Sequence, residues 1–143
     1  TDAPIMNEKP SKYAFGVSAL TVLPVGRLLV LEREFFVPAG YIGSFVENTL
    51  NIVDPLHEKP LSAPLPLYEL PESTFMKKSL VTSFITRLNL VSRNIANYEG
   101  MCLGPVLKDG RQTLLLINDS QHCYGNVFFH LRDYIKVILL KLQ

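Results

Sequence analysis

The chain has 143 residues, 48% of them hydrophobic and 19% charged, with a net charge of +1. This balance excludes a disordered chain, and no basic cluster of the kind that nucleic acid requires is present. No apolar run reaches the roughly 18 residues of a membrane span, and no segment has the charged, apolar and cleavage regions of a signal peptide.

Residues 1–12 are polar and carry two prolines, so they read as an N-terminal arm. The chain opens on Thr1-Asp2-Ala3-Pro4 with no initiator Met, as a piece of a longer protein would. Tyr13 to Leu23 is strand-like. Pro24-Val25-Gly26 follows as a turn, with Pro presetting φ and Gly tolerating the exit. Arg27 to Phe36 is a second strand, and Pro38-Ala39-Gly40 opens a loop through Ser44. Thr49 to Val53 is a third strand, stopped by Asp54-Pro55. Five of the ten prolines lie between Pro55 and Pro71, which excludes a central strand or a long helix there. Ser79 to Ile85 is the next strand, and Thr86 to Asn94 is either its extension or one helical turn. Tyr98 to Leu103, Thr113 to Asn118, Asn126 to His130 and Tyr134 to Leu142 complete the expected strands. The chain is therefore all-β. Cys102 and Cys123 do not form a close metal-ligand pair; a disulfide and two separate thiols both fit.

One strand–turn–strand unit occurs twice. Ser18-Ala19-Leu20-Thr21-Val22-Leu23-Pro24 can be laid on Glu99-Gly100-Met101-Cys102-Leu103-Gly104-Pro105. Each is followed by Gly-Arg, at Gly26-Arg27 and Gly110-Arg111, and then by an apolar run, Leu28 to Leu31 and Leu114 to Ile117. The repeats span about residues 13–90 and 97–143. A small twisted sheet cannot cover both of its faces alone, so such units stack as blades. The expected fold is two blade-like antiparallel sheets forming part of a β-propeller, with a β-sandwich as the alternative. Two blades cannot close a propeller. The chain is thus expected to expose an apolar face at each end and to pair with missing N-terminal blades or with itself.

In each hairpin the start of the first strand faces the end of the second. Counting outward from the turns puts Ser18 opposite Glu32, and Glu99 opposite Asn118 or Asp119. The polar ends of both repeats then meet on one rim. Carboxylates converging there can bind a hard cation, or an oxyanion through it. Each also has a structural reading: an acid at a strand end is often solvated, and Glu32 can pair with Arg33 or Arg27. His122 lies in a turn-rich loop on the same rim, while His57 and His130 have no evident partners. No Gly-x-Ser-x-Gly elbow, phosphate-binding Gly loop, His-Glu-x-x-His or Cys-x-x-Cys is present.

The stretch from Phe15 to Arg33, with Asn97 to Pro105 and Asp109 to Asp119, resembles the C-terminal portion of the phytase-like domain family, "esterase-like activity of phytase". The resemblance runs from about Tyr13 to the end. It implies a bacterial, exported (periplasmic or extracellular) propeller-like protein with esterase-like or phosphodiesterase-type activity. The positions matching the family's acidic residues are Glu32, Glu99 and Asp119, with Arg33 beside the first. Val25 stands where the family commonly has Asp. Residues 13–143 would then be a partial phytase-like domain that lacks the N-terminal blades.

The function expected on this reading is the C-terminal part of a metal-assisted phosphoester hydrolase acting on a small phosphoester. Glu99, Asp119, Asn118 and Glu32 would hold Ca²⁺ or a similar hard cation. Glu99, Asp119, Glu32 and Arg33 would carry the chemistry, with Arg33 on the phosphoryl oxygens. A non-catalytic propeller that binds a ligand or partner, and an inactive fragment, are the alternatives.

Overall fold

The computed structural model describes residues 10–24, 26–60, 66–120 and 131–141. Seven strands form two antiparallel sheets. The first has the order β1 (Lys12–Val22), β2 (Leu28–Val37), β3 (Phe45–Val53), β4 (Ser79–Arg87). The second has the order β5 (Tyr98–Val106), β6 (Gln112–Asn118), β7 (Ile135–Leu140). Both are meanders in which sequence neighbours are also sheet neighbours. The all-β expectation therefore holds. Among the described residues no helix is long and apolar enough to cross a membrane.

The two hairpins close on the same turn. Leu23 N–H donates to Arg27 O at 2.8 Å, and Leu107 N–H to Arg111 O at 2.8 Å. Gly26 and Gly110 sit at φ 81° and 83°, a region that L side chains rarely adopt. The turns thus set Leu23 level with Leu107, whereas the sequence repeat lays Pro24 on Pro105. A register shift between Leu103 and Val106 takes up one extra residue of β5.

Several elements differ from expectation in their bounds. β3 begins at Phe45, not Thr49, because β2 is long enough to pair with all of it. Phe45 stacks on its cross-strand partner Phe36 at 5.3 Å, and Val46 is fully buried. The stretch after Thr86 contains no helical turn. β4 ends at Arg87, and one isolated bridge joins Leu88 to Arg93. The Thr86 hydroxyl organises this exit, donating to Ala96 O at 3.1 Å and accepting from Ala96 N–H at 3.0 Å. The described parts of the Pro-rich connection form three single 3₁₀ turns, at Pro55–His57, Leu67–Glu69 and Glu72–Thr74. The strand expected at Asn126 to His130 lies outside the described residues.

One core joins the sheets. Leu29, Leu31 and Leu50 of the first sheet cluster with Tyr98, Leu114, Leu116 and Leu140 of the second. Each fully buried Leu contributes roughly 1.5–3 kcal/mol of transfer free energy. Phe84 meets Tyr98 edge-on at 5.7 Å, and the Lys136 ammonium lies 4.4 Å above the Phe84 ring. Thr21 Oγ1 donates to Met101 O at 2.9 Å, tying the first strand of one sheet to the first strand of the other. Among the described residues, apolar side chains are also exposed on the outer faces. Val17, Leu20 and Val22 are exposed on the first sheet, as are Ile117, Ile135 and Val137 on the second.

Candidate functional site

Both hairpins break register at the residue that the repeat aligns. In the first, Val17 pairs with Glu32 and Ala19 with Leu31, leaving Ser18 in the bulge. In the second, Tyr98 pairs with Asn118 and Gly100 with Ile117, leaving Glu99 in the bulge. This corrects the hairpin counting, which set Ser18 opposite Glu32 and Glu99 opposite Asn118 or Asp119. A bulge inserts one unpaired residue and re-aims its side chain, so Glu99 leaves the strict alternation of β5.

Glu99 uses that freedom to bridge the sheets. Arg33 Nη1 donates to Glu99 Oε1 at 2.8 Å and also to Asn97 Oδ1. Asn97 Nδ2 donates to the same Glu99 oxygen at 2.6 Å. Gly16, the β1 partner of Arg33, presents no side chain to the guanidinium. Asn48, its β3 partner, is fully buried, and its Oδ1 has no hydrogen-bond partner among the described residues. Arg33 thus sits on the inner face of the first sheet, clamped to the bulge of the second.

Glu32 points the other way, as strand alternation requires. Its carboxylate takes both oxygens' worth of Lys78, at 2.8 Å each, and accepts from Asn51 Nδ2 at 2.9 Å. The expected partners Arg33 and Arg27 are not the ones it takes; Lys78, just ahead of β4, is. Glu32 and Arg33, adjacent in sequence, therefore belong to different surroundings.

The other side of the bulge opens onto a cleft of about 640 Å³, lined by Glu99, Gly100, Ile117, Asn118, Asp119, Asp133 and Ile135. Glycine at position 100 is required by close approach: a Cβ there would lie 2.5 Å from Ile117 Cγ2. Three carboxylates face this cleft. Asp133 holds its loop by accepting from Ser120 N–H at 2.9 Å. Asn118 is committed to backbone, donating to Arg132 O at 2.9 Å and accepting from Tyr134 N–H at 2.5 Å. Its amide closes the neck of the loop between β6 and β7.

The structure therefore brings Glu99 and Asp119 to one cleft, joins Arg33 to Glu99, occupies Asn118 in the loop neck, and carries Glu32 to the opposite face of the first sheet. Asn97 and Asp133 belong to the site and were not singled out from the sequence. Asn97 stands two residues before Glu99 in the resembling segment, which was its available signal. Asp133 had none, since only the return of the chain into β7 brings it back. His122 lies outside the described residues.

Among the described residues, no group of three His, Cys, Asp or Glu side chains is close enough to hold a metal ion. With one Glu99 oxygen taken by Arg33 and Asn97, and Asn118 spent on backbone, the donor set does not by itself fit Ca²⁺, which takes six to eight oxygens.

No curated protein and no solved structure matches the chain. Residues 4–122, well over half of the chain, match the family described as Phytase-like, "Esterase-like activity of phytase". On that match, and with the all-β meanders above, the chain belongs to the phytase-like family.

Proposed function

We propose that this chain supplies one wall of a phosphoester-hydrolysing cleft in a phytase-like, propeller-type domain. The observation that supports this most directly is the convergence of Glu99, Asp119 and Asp133 on one cleft, beside an arginine anchored to the first of them. A phosphate approaching three carboxylates is repelled unless a cation intervenes, so the cleft favours phosphoester chemistry only with a hard cation present. Such a cation would draw Asp119, Asp133 and the free oxygen of Glu99 together with donors beyond the described residues. The chain's own residues have two tasks on this reading. The bulge aims Glu99 at the cleft, and Arg33 with Asn97 fixes one of its carboxylate oxygens on the inner side.

The test is calorimetry with CaCl₂ on wild type, Glu99→Gln and Asp119→Asn, alongside hydrolysis of bis(p-nitrophenyl) phosphate. Wild type is expected to bind weakly, with Kd on the order of 10⁻³ M, and both variants to lose the heat. Turnover by the chain alone is expected to be low, because its described donors are too few for a tight cation site. Equal heats in all three proteins would overturn the reading.

The apolar side chains exposed on the outer faces favour a second reading, a non-catalytic module that binds a partner or ligand, with Glu99 serving only to join the sheets. On that reading calcium heats are absent while the Arg33 link still stabilises the fold.

A further inference from the structure

The register sorts the lining of the cleft into two rows. Gly100 pairs with Ile117, and Ile117 with Ile135, so these residues form one row across β5, β6 and β7 on the outer face of the second sheet. Ile117 and Ile135 are 52% and 70% exposed. Ile117 Cγ2 fills the space where a side chain at position 100 would begin, so the row is a continuous apolar strip. Each acid stands within two residues of this strip: Glu99 just before Gly100, Asp119 two after Ile117, and Asp133 two before Ile135. An acidic edge therefore runs beside the strip, separated from it by one or two residues of strand, about 3–7 Å. The bases lie elsewhere. No lysine or arginine lines the cleft among the described residues, and residues 121–130 contain neither. Arg33 meets Glu99 from the inner side, Lys136 lies over the Phe84 ring between the sheets, and Arg132 is not among the lining residues.

We propose that the cleft selects a phosphodiester carrying an apolar aryl or alkyl group and rejects polyphosphorylated polyols, with Ile117 and Ile135 setting that preference. This rests on the phosphoester reading of the cleft given above. A phosphodiester presents one negative charge, which a single hard cation at the acidic edge can hold. Its ester group then falls on the strip and removes apolar surface from water on both sides. A polyol has no such group. Its hydroxyls would lose water against two isoleucines that return no hydrogen bond. Each further phosphate would also need a base or a cation of its own, and the described lining supplies no base.

The place of the strip in the sheet agrees with a propeller-type domain. Val137 and Leu139 continue the same face away from the acids and are 55% and 43% exposed. A neighbouring blade would cover them as the first sheet covers Leu114, Leu116 and Leu140 on the inner face. Ile117 and Ile135, at the acidic end, would then line the gap between two blades, where a ligand enters.

The experiment compares diphenyl phosphate, dimethyl phosphate and fructose 1,6-bisphosphate on the full chain in excess CaCl₂, with binding read by amide chemical-shift changes. The two diesters carry the same charge and differ only in the ester group. Diphenyl phosphate is expected to bind about tenfold more tightly than dimethyl phosphate, with shifts at Gly100, Ile117 and Ile135. Fructose 1,6-bisphosphate is expected to bind more weakly than either. The Ile117→Thr/Ile135→Thr double variant keeps β-branched side chains at two exposed positions and is expected to bring the two diesters to equal affinity. Equal binding of the diesters to wild type, an unchanged preference in the double variant, tighter binding of fructose 1,6-bisphosphate, or diphenyl phosphate shifts that persist without calcium would overturn the proposal. The wild-type comparison decides it even if the variant does not fold. Absence of the calcium heat would remove the phosphoester reading as well, whereas a calcium heat without selectivity between the diesters would remove this inference alone.

Discussion

Cutting the link between the sheets should cost a measurable and salt-sensitive amount of stability. Arg33 and Glu99 have side chains 25% and 42% exposed and meet at 2.8 Å. Fully exposed pairs of this kind contribute about 0.2–1 kcal/mol, while hydrogen bonds to charged groups contribute about 1.5–3 kcal/mol when well shielded. The pair lies between these limits, and Asn97 holds both partners in place at no further rotamer cost. A coupling energy of about 1 kcal/mol is therefore expected. The measurement is a double-mutant cycle of Arg33→Met and Glu99→Gln, with urea unfolding of all four proteins followed by circular dichroism. Met keeps the stem of Arg33 without its fork, and Gln keeps the shape of Glu99 without its charge. Repeating the cycle in 1 M NaCl, where the Debye length is about 3 Å, should reduce the coupling by half or more. A coupling below about 0.3 kcal/mol, within the additivity error of independent sites, would show that the contact does not join the sheets energetically. A coupling untouched by salt would show that its origin is not the ion pair.

Glu34→Gln should stabilise the chain, by about 0.2–1 kcal/mol at neutral pH from repulsion by its cross-strand partner Glu47 alone. Because folding raises the Glu34 pKa, the folded state holds its proton more tightly and loses stability as pH rises through that range. The advantage of the variant should accordingly be near zero at pH 4 and grow toward pH 7 in urea titrations; a constant difference across that range would contradict it. Leu116→Ala removes a fully buried side chain from the core shared by both sheets and should cost about 2–5 kcal/mol. If urea unfolding then splits into two transitions, the sheets do not share one cooperative core.

Much of the fold was legible because each hairpin carries its own local code. Gly26 and Gly110 occupy the one backbone region that their neighbours could not, and the apolar runs beside them mark strands covered by a second layer. The misjudged bounds were those set by tertiary pairing. Phe45 to Asn48 follow a loop signal and mix apolar with polar residues, so nothing local marks them as strand. They are strand because β2 offers them partners, and Leu88 and Ile95, from the connection after β4, pack with the buried Val46. Thr86 to Asn94 was ambiguous for the same reason. A single hydroxyl, reaching ten residues along to Ala96, turns the chain away from either regular choice.

The site was harder to read because it hangs on one unpaired residue. Alternation predicts side-chain direction only while register is kept, and a one-residue bulge inverts it from that point on. Counting from the turn therefore placed Glu99 in a ladder where it has no partner, and grouped it with Glu32 on one rim. Glu32 keeps register and so faces away from the second sheet; Arg33, one residue later, faces it. The residue that meets Glu99 is consequently the base next to the expected acid. This exchange changes the chemistry at the junction. A second carboxylate there would have required a cation to hold the sheets together. With arginine in its place the junction is neutral in itself, and Asp119 and Asp133 meet Glu99 only on the far side of the bulge, where all three line the cleft.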